Sequence, residues 1–232
     1  TRGCPNQCGF CAVNQLEPDY HIIENWREAI DLSKSCVMFQ DNNLTSFPFD
    51  HFKAVMEFIQ KHGLKACFNN GFDARLLTDE QIDLMAQVKW YDGGLRLAFD
   101  NMSEDGYVQR AIGKLRQKGV APSKFLIFCL YNFQDTFDEA MYRCSEIKKL
   151  GVRPFPERFH PLYSLKKSGY VSPNWTNELA SRFLSYWFLG GNYKSKSWEQ
   201  FLAEKDNKPS KKGLGTRVKV KVDTKKLSTD AA

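Results

Sequence analysis

No long apolar run occurs anywhere in the 232 residues. The longest covers residues 125–131, far short of the ~20 that a helix needs to cross a bilayer, so no membrane partner is expected. No secretory leader is read either, because three cysteines fall within the first eleven residues. The chain opens on Thr1 rather than Met, and loss of upstream residues is expected. Histidine is sparse, with four residues, and the seven cysteines show no paired spacing. That argues against a disulfide-stapled secreted domain and points to a reducing, cytoplasmic compartment. Net charge is absent from most of the chain. Residues 191–232 hold eleven Lys/Arg against five Asp/Glu and so carry the whole formal net charge of +6, leaving 1–190 neutral. This tail lacks an apolar period and, apart from Tyr193, Trp198 and Phe201, lacks aromatics on which bases stack. Its segment 208–215 reads as solvated loop, with nucleic acid the weaker alternative partner. What is present is globular: 42% hydrophobic and 14% aromatic residues suffice for one sizeable core.

Cys4, Cys8 and Cys11 form a C-x3-C-x2-C run with Phe10 just before the last thiol. Three thiolates are one fewer than the four ligands of a closed zinc or iron–sulfur site. A cubane held by three keeps one iron open to a ligand that is not protein. The competing reading is a non-catalytic zinc-binding module with His21 as fourth ligand, although the interval from Cys11 to His21 contains Pro18 and matches no common zinc spacing. The spacing, with Phe10, resembles the cluster loop of the radical S-adenosylmethionine (radical SAM) enzymes. The resemblance implies a [4Fe–4S] cluster on Cys4, Cys8 and Cys11, with SAM chelating the fourth iron through its amino and carboxylate groups. It further implies a flavodoxin- or ferredoxin-like one-electron reductant, and a 5′-deoxyadenosyl radical that abstracts hydrogen from a substrate the sequence does not identify.

Beyond the loop, strand-like and helix-like segments alternate to about residue 160, as in βα units. Helices are expected over 25–34, around Phe52, Val55, Met56 and Ile59 up to Gly63, and after the capping boxes Thr78–Gln81 and Thr136–Glu139. A further helix is expected from Tyr107 to Gly119, and a last one from Ser172-Pro173 to Gly190-Gly191. Strands are expected at 35–40, 65–69, 95–99, 125–130 and 152–159. The two prolines of the last, Pro154 and Pro156, make it an edge. Five strands with parallel crossovers define an α/β fold. The resemblance makes it a partial (β/α)6 radical SAM-type barrel whose first strand is missing from the chain. The domains read as 1–165 core barrel, 166–190 helix packing on the core and 191–232 basic tail.

In parallel α/β folds ligands gather where strands end. The candidates are therefore Asp41, Asn42 and Asn43; Asp73 and Arg75; Asp100 and Asn101; Tyr131 and Asn132; and Arg158 with His160. The resemblance places Asp41, Asn42 and Asn43 where the family carries a Gly-Gly-Glu-type motif for the methionyl amino group, a pattern from which Gln40-Asp41-Asn42-Asn43 departs. It places Asp100 at the SAM ribose and Phe10 near adenine. Arg75 reads as a partner of the methionyl carboxylate or as an ion pair with Asp73 or Asp100. Gly71-Phe72-Asp73-Ala74-Arg75 and Leu97-Ala98-Phe99-Asp100-Asn101 look like stand-alone radical SAM proteins lacking an assigned reaction. Neither a cobalamin segment before the loop nor a second Cys-rich domain is read. Cys36, Cys67, Cys129 and Cys144 read as buried free thiols, none with a near-neighbour thiol in the sequence.

Overall fold

A computed structural model describes residues 1–166, 169–188 and 192–206. It divides into two compact units, Thr1–Ser195 and Lys196–Ala232. The second is described as one helix, α7 (Trp198–Asp206). The basic segment 208–215 and the expected helix stop at Gly190-Gly191 lie outside the described residues.

The first unit alternates strands and helices: α1 (Val13–Leu16), β1 (Cys36–Phe39), α2 (Phe49–Lys61), β2 (Lys65–Phe68), α3 (Asp79–Ala86), β3 (Lys89–Trp90), β4 (Leu95–Ala98), α4 (Tyr107–Gln117), β5 (Phe125–Tyr131), α5 (Phe137–Lys149), β6 (Pro154–Arg158) and α6 (Asn177–Trp187). All strand pairs are parallel, in two three-stranded sheets ordered β1-β2-β3 and β4-β5-β6. The sheets join where Phe68 N donates to Gly94 O at 3.0 Å and Phe72 N to Arg96 O at 2.9 Å. Gly94 permits the junction, since a Cβ there would stand 2.5 Å from Ala66 O. Among the described residues no pairing joins β1 to β6, so the structure is mixed α/β without a closed barrel.

The local chemistry explains most elements. Phe52, Val55, Met56 and Ile59 recur at helical spacing on α2 and are all buried, each side chain contributing ~1.5–3 kcal/mol by leaving water. Both capping boxes form: Thr78 accepts from Gln81 N and Thr136 from Glu139 N, so α3 and α5 start at their expected residues. β5 is buried almost throughout. On β6, Ile127 N donates to Arg153 O and Phe159 N to Tyr131 O. By strand alternation the nitrogens of Pro154 and Pro156 then face the open side, where no ladder bond is lost. The prolines do mark an edge.

Three expectations need correction. Residues 25–34 form only a 3-10 turn at Trp26–Ala29. Ser33 N bonds the Asp31 carboxylate at 2.9 Å, a local turn that competes with helix. The last helix of the first unit starts after Thr176, whose hydroxyl accepts from Leu179 N, and not at Ser172-Pro173. There Trp175 N closes a turn onto Ser172 O. Among the described residues there are six strands rather than five; two-residue β3 is too short to show a period.

Candidate functional site

Residues 3–11 form a loop held from several sides. At its base Arg2 and His21 exchange backbone hydrogen bonds. Gly3 adopts φ +74°, and a Cβ there would lie 2.4 Å from Asp19 O, so only glycine lets the chain enter the loop this way. Cys11 N donates to Cys8 O, making the Cys8–Cys11 turn. Asn6 fastens the middle: Asn14 Nδ2 donates to its carbonyl at 2.7 Å, and its own Nδ2 donates to Asp73 Oδ2 at 3.0 Å. The aromatics Phe10, Phe133, Phe159 and Tyr170 run in edge or tilted contact from the loop to the ends of β5 and β6, with centroid spacings of 5.7, 4.6 and 5.1 Å.

The expected residues separate into two groups. Asn43, Asp73, Arg75, Asp100 and Phe10 surround the loop. Asn43 is buried, and its Nδ2 donates to Cys4 Sγ at 3.6 Å. Arg75 donates through Nε and Nη2 to Asp73, which makes it an ion pair in this structure. Phe10 and Asp100 line one cavity of about 290 Å³ together with Cys8. The other group points elsewhere. Asp41 accepts from the Thr1 amino group and, at 2.7 Å, from Thr1 Oγ1. It lines a separate groove beside β1 with Trp26 and Phe39. Asn42 donates to Glu17. Asn132, at φ +63° and fully buried, bonds Tyr170 O and Ser172 N with its amide. His160 Nε2 lies 2.7 Å from Ser164 O, and the ring lines a wider groove of about 820 Å³ that also reaches Phe10, Glu157 and Arg158.

Burial and charge set the ionisation of these groups. Burial, and then the Cys11 and Cys4 thiols, push the Cys8 thiol up. Burial opposes ionisation of Asp73, but its hydrogen bonds from Arg75 and Asn6 outweigh it and hold the carboxyl below the usual range. Asp100 goes the other way. Burial, and then the Glu104 carboxylate, push it up to about 7, against one hydrogen bond from Leu130 N at 2.9 Å. Glu104 is raised by burial too, although it accepts from the amides of Asp100 and Asn101.

Glu104, Asp135 and Arg143 are site residues that the sequence reading missed. Arg143 is wholly buried at the cavity; its Nη2 donates to Leu130 O at 2.6 Å and Asp135 Oδ2 at 2.8 Å, while Nε and Nη1 find no partner. The signal was there: position 143 shares the buried face of α5 with Ala140, Cys144 and Ile147. Of the four other cysteines expected to be buried, Cys67, Cys129 and Cys144 are, whereas Cys36 is exposed. Burial, and then the Cys144 thiol, raise the Cys129 thiol well above its usual range.

The donor set fits an iron–sulfur cluster. All three loop thiols are free and partly exposed, Cys8 feels the other two, and Cys4 already accepts an N–H. Among the described residues, no three His, Cys, Asp or Glu side chains converge closely enough to hold a single ion. None of the described helices is long and apolar enough to cross a membrane. Compared with known proteins, the chain matches no family model and no curated protein.

Proposed function

We propose that this chain is a radical SAM enzyme of the cytoplasm, with its parallel sheets forming part of a (β/α)6 barrel. When bound, the [4Fe–4S] cluster and SAM would supply reductive cleavage of the sulfonium, with an electron from a flavodoxin- or ferredoxin-like donor, and the 5′-deoxyadenosyl radical that takes hydrogen from substrate. One observation carries the reading. The C-x3-C-x2-C loop lies against the C-terminal ends of the parallel strands, with Cys8, Phe10 and Asp100 on one cavity.

The chain's own residues would then divide the work. Cys4, Cys8 and Cys11 hold the cluster. Asn6 and Asp73 fix the loop that carries them. Asp100 offers a carboxylate to ribose hydroxyls, which in its protonated form also donates. Phe10, with Phe133 behind it, presents an apolar edge to a purine. Arg75 is held by Asp73, so it contributes positive field rather than a free fork. The groove between Phe10, Glu157 and His160 is where a substrate would lie, close to the loop.

Anaerobic reconstitution of the purified chain is expected to give iron–sulfur absorption that dithionite bleaches, with 5′-deoxyadenosine formed from SAM. Cys8→Ser should abolish both while leaving the circular dichroism unchanged. Tight tetrahedral zinc with no cluster absorption would overturn the reading in favour of the metal-binding module.

A further inference from the structure

We infer that Asn43 is a positioning residue that sets the cluster's reduction potential by donating a hydrogen bond from its side-chain amide to the Cys4 sulfur. This rests on the radical SAM reading. The amide Nδ2 stands 3.6 Å from Cys4 Sγ, within reach for a sulfur acceptor. The rest of the residue has no freedom to turn away. Thr45 Oγ1 accepts from Asp73 N at 3.1 Å and donates its O–H to Asn43 Oδ1 at 2.6 Å. The carbonyl end of the amide is therefore occupied, and the N–H end faces the sulfur. On the main chain, the Asn43 carbonyl accepts from Ser46 N at 3.2 Å and Ser46 Oγ at 2.7 Å, opening the 3-10 turn Leu44–Ser46. Asn43 itself is 5% exposed, so water does not replace the bond if it is lost.

The consequence follows from charge. If the chain binds the cluster, one electron from the external donor would reduce it from the 2+ to the 1+ state, and Cys4, Cys8 and Cys11 would carry part of the added negative charge on their sulfurs. An N–H dipole aimed at one of them favours the reduced state, and such hydrogen bonds are among the levers that set cluster potentials. Asn43 thus acts on the metal through Cys4. The route runs from β2's end to the cluster: the Asp73 amide orients Thr45, Thr45 orients Asn43, and Asn43 polarises the sulfur.

The test is an EPR-monitored redox titration of the anaerobically reconstituted full chain, comparing wild type with Asn43→Leu and Asn43→Asp. The midpoint should move negative in that order, because leucine removes the donor and aspartate turns an oxygen towards the sulfur. For Asn43→Asp the ratio of reduced to oxidised cluster at one applied potential should fall at least ~10-fold, a shift of ~59 mV for one electron. Variants that hold intact clusters and titrate at the wild-type midpoint overturn the inference and leave the radical SAM reading standing. A wild-type chain that takes up no cluster overturns both. Pulsed EPR of reduced wild type, labelled with 15N only in asparagine side chains, gives a reading that needs no variant. A nitrogen coupling is expected, and its absence overturns the inference even if neither variant assembles.

Discussion

The ends of β2 and β4 each deliver an aspartate towards the cysteine loop, and the two carboxylates meet opposite fates. Asp73, after β2, is saturated: Arg75 clamps it through Nε, Nη2 and its backbone N, and Asn6 adds a fourth hydrogen bond. Asp100, after β4, has the Leu130 amide on Oδ1 and a neighbouring carboxylate, Glu104. The same residue type is therefore an anion at neutral pH at one strand end and a group poised near neutrality at the other. Position at a strand end does not decide the role; burial set against the count of donors does. Asp73 is built to hold a loop still. Asp100 retains the capacity for an incoming donor, which suits a binding group.

The largest test of this contrast is the pH dependence of stability. Asp100 titrates near 3.8 unfolded and about 7 folded. The folded state therefore keeps a proton that the unfolded state has lost, and stability falls as pH rises from about 4 to 7. The full penalty above pH 7 is ~4 kcal/mol at 1.36 kcal/mol per pKa unit. Asp100→Asn should remove it, so chemical denaturation at pH 8 would find the variant more stable than wild type. A variant no more stable than wild type at pH 8 would break the contrast.

A smaller effect of opposite sign is expected at β2. Asp73, held below its usual range, gives stability that is present above the unfolded pKa and fades as pH falls through the folded one. Asp73→Asn should cost ~2 kcal/mol near neutral pH, from charge-assisted hydrogen bonds discounted because Arg75 is about a third exposed. Its cost should vanish in acid, and denaturation at pH 3 and pH 7 reads both. Smallest is Glu104→Gln, which keeps an acceptor for the Asp100 amide and removes the like charge. Carbon-detected NMR should find the Asp100 midpoint lower, with a stability gain of ~1 kcal/mol or less above pH 7. An unmoved midpoint would assign the Asp100 shift to burial alone.

How far the residues foretold this arrangement depends on the range over which each effect acts. Caps and helical stripes are local, so Thr78, Thr136 and the Phe52–Ile59 face were legible, as was the apolar run of β5. The prolines of β6 stated its edge position because a missing N–H has one consequence in a sheet. The cysteine spacing stood out as a motif, and of the strand-end polar residues Asn43, Asp73, Arg75 and Asp100 lie around that loop while Asp41, Asn42 and Asn132 do not. Their partners were not legible. That Asp73 reaches Asn6 across 67 positions, while Asp41 turns away to Thr1, depends on packing that no spacing encodes. Arg143 was overlooked because a charged residue on an amphipathic helix is read as solvated, although it stands on that helix's buried face.

The two outer strands differ in a way that bears on handling. By alternation the open side of β6 carries the carbonyls of two prolines and no amide between them, so an incoming strand finds acceptors without the matching donors. β1 bears no such guard: the amides of Cys36 and Met38 face outward, and Met38 is 56% exposed. Aggregation in concentrated solution is accordingly expected to start from one margin of the molecule and not the other, with proline acting as a gatekeeper built into the backbone.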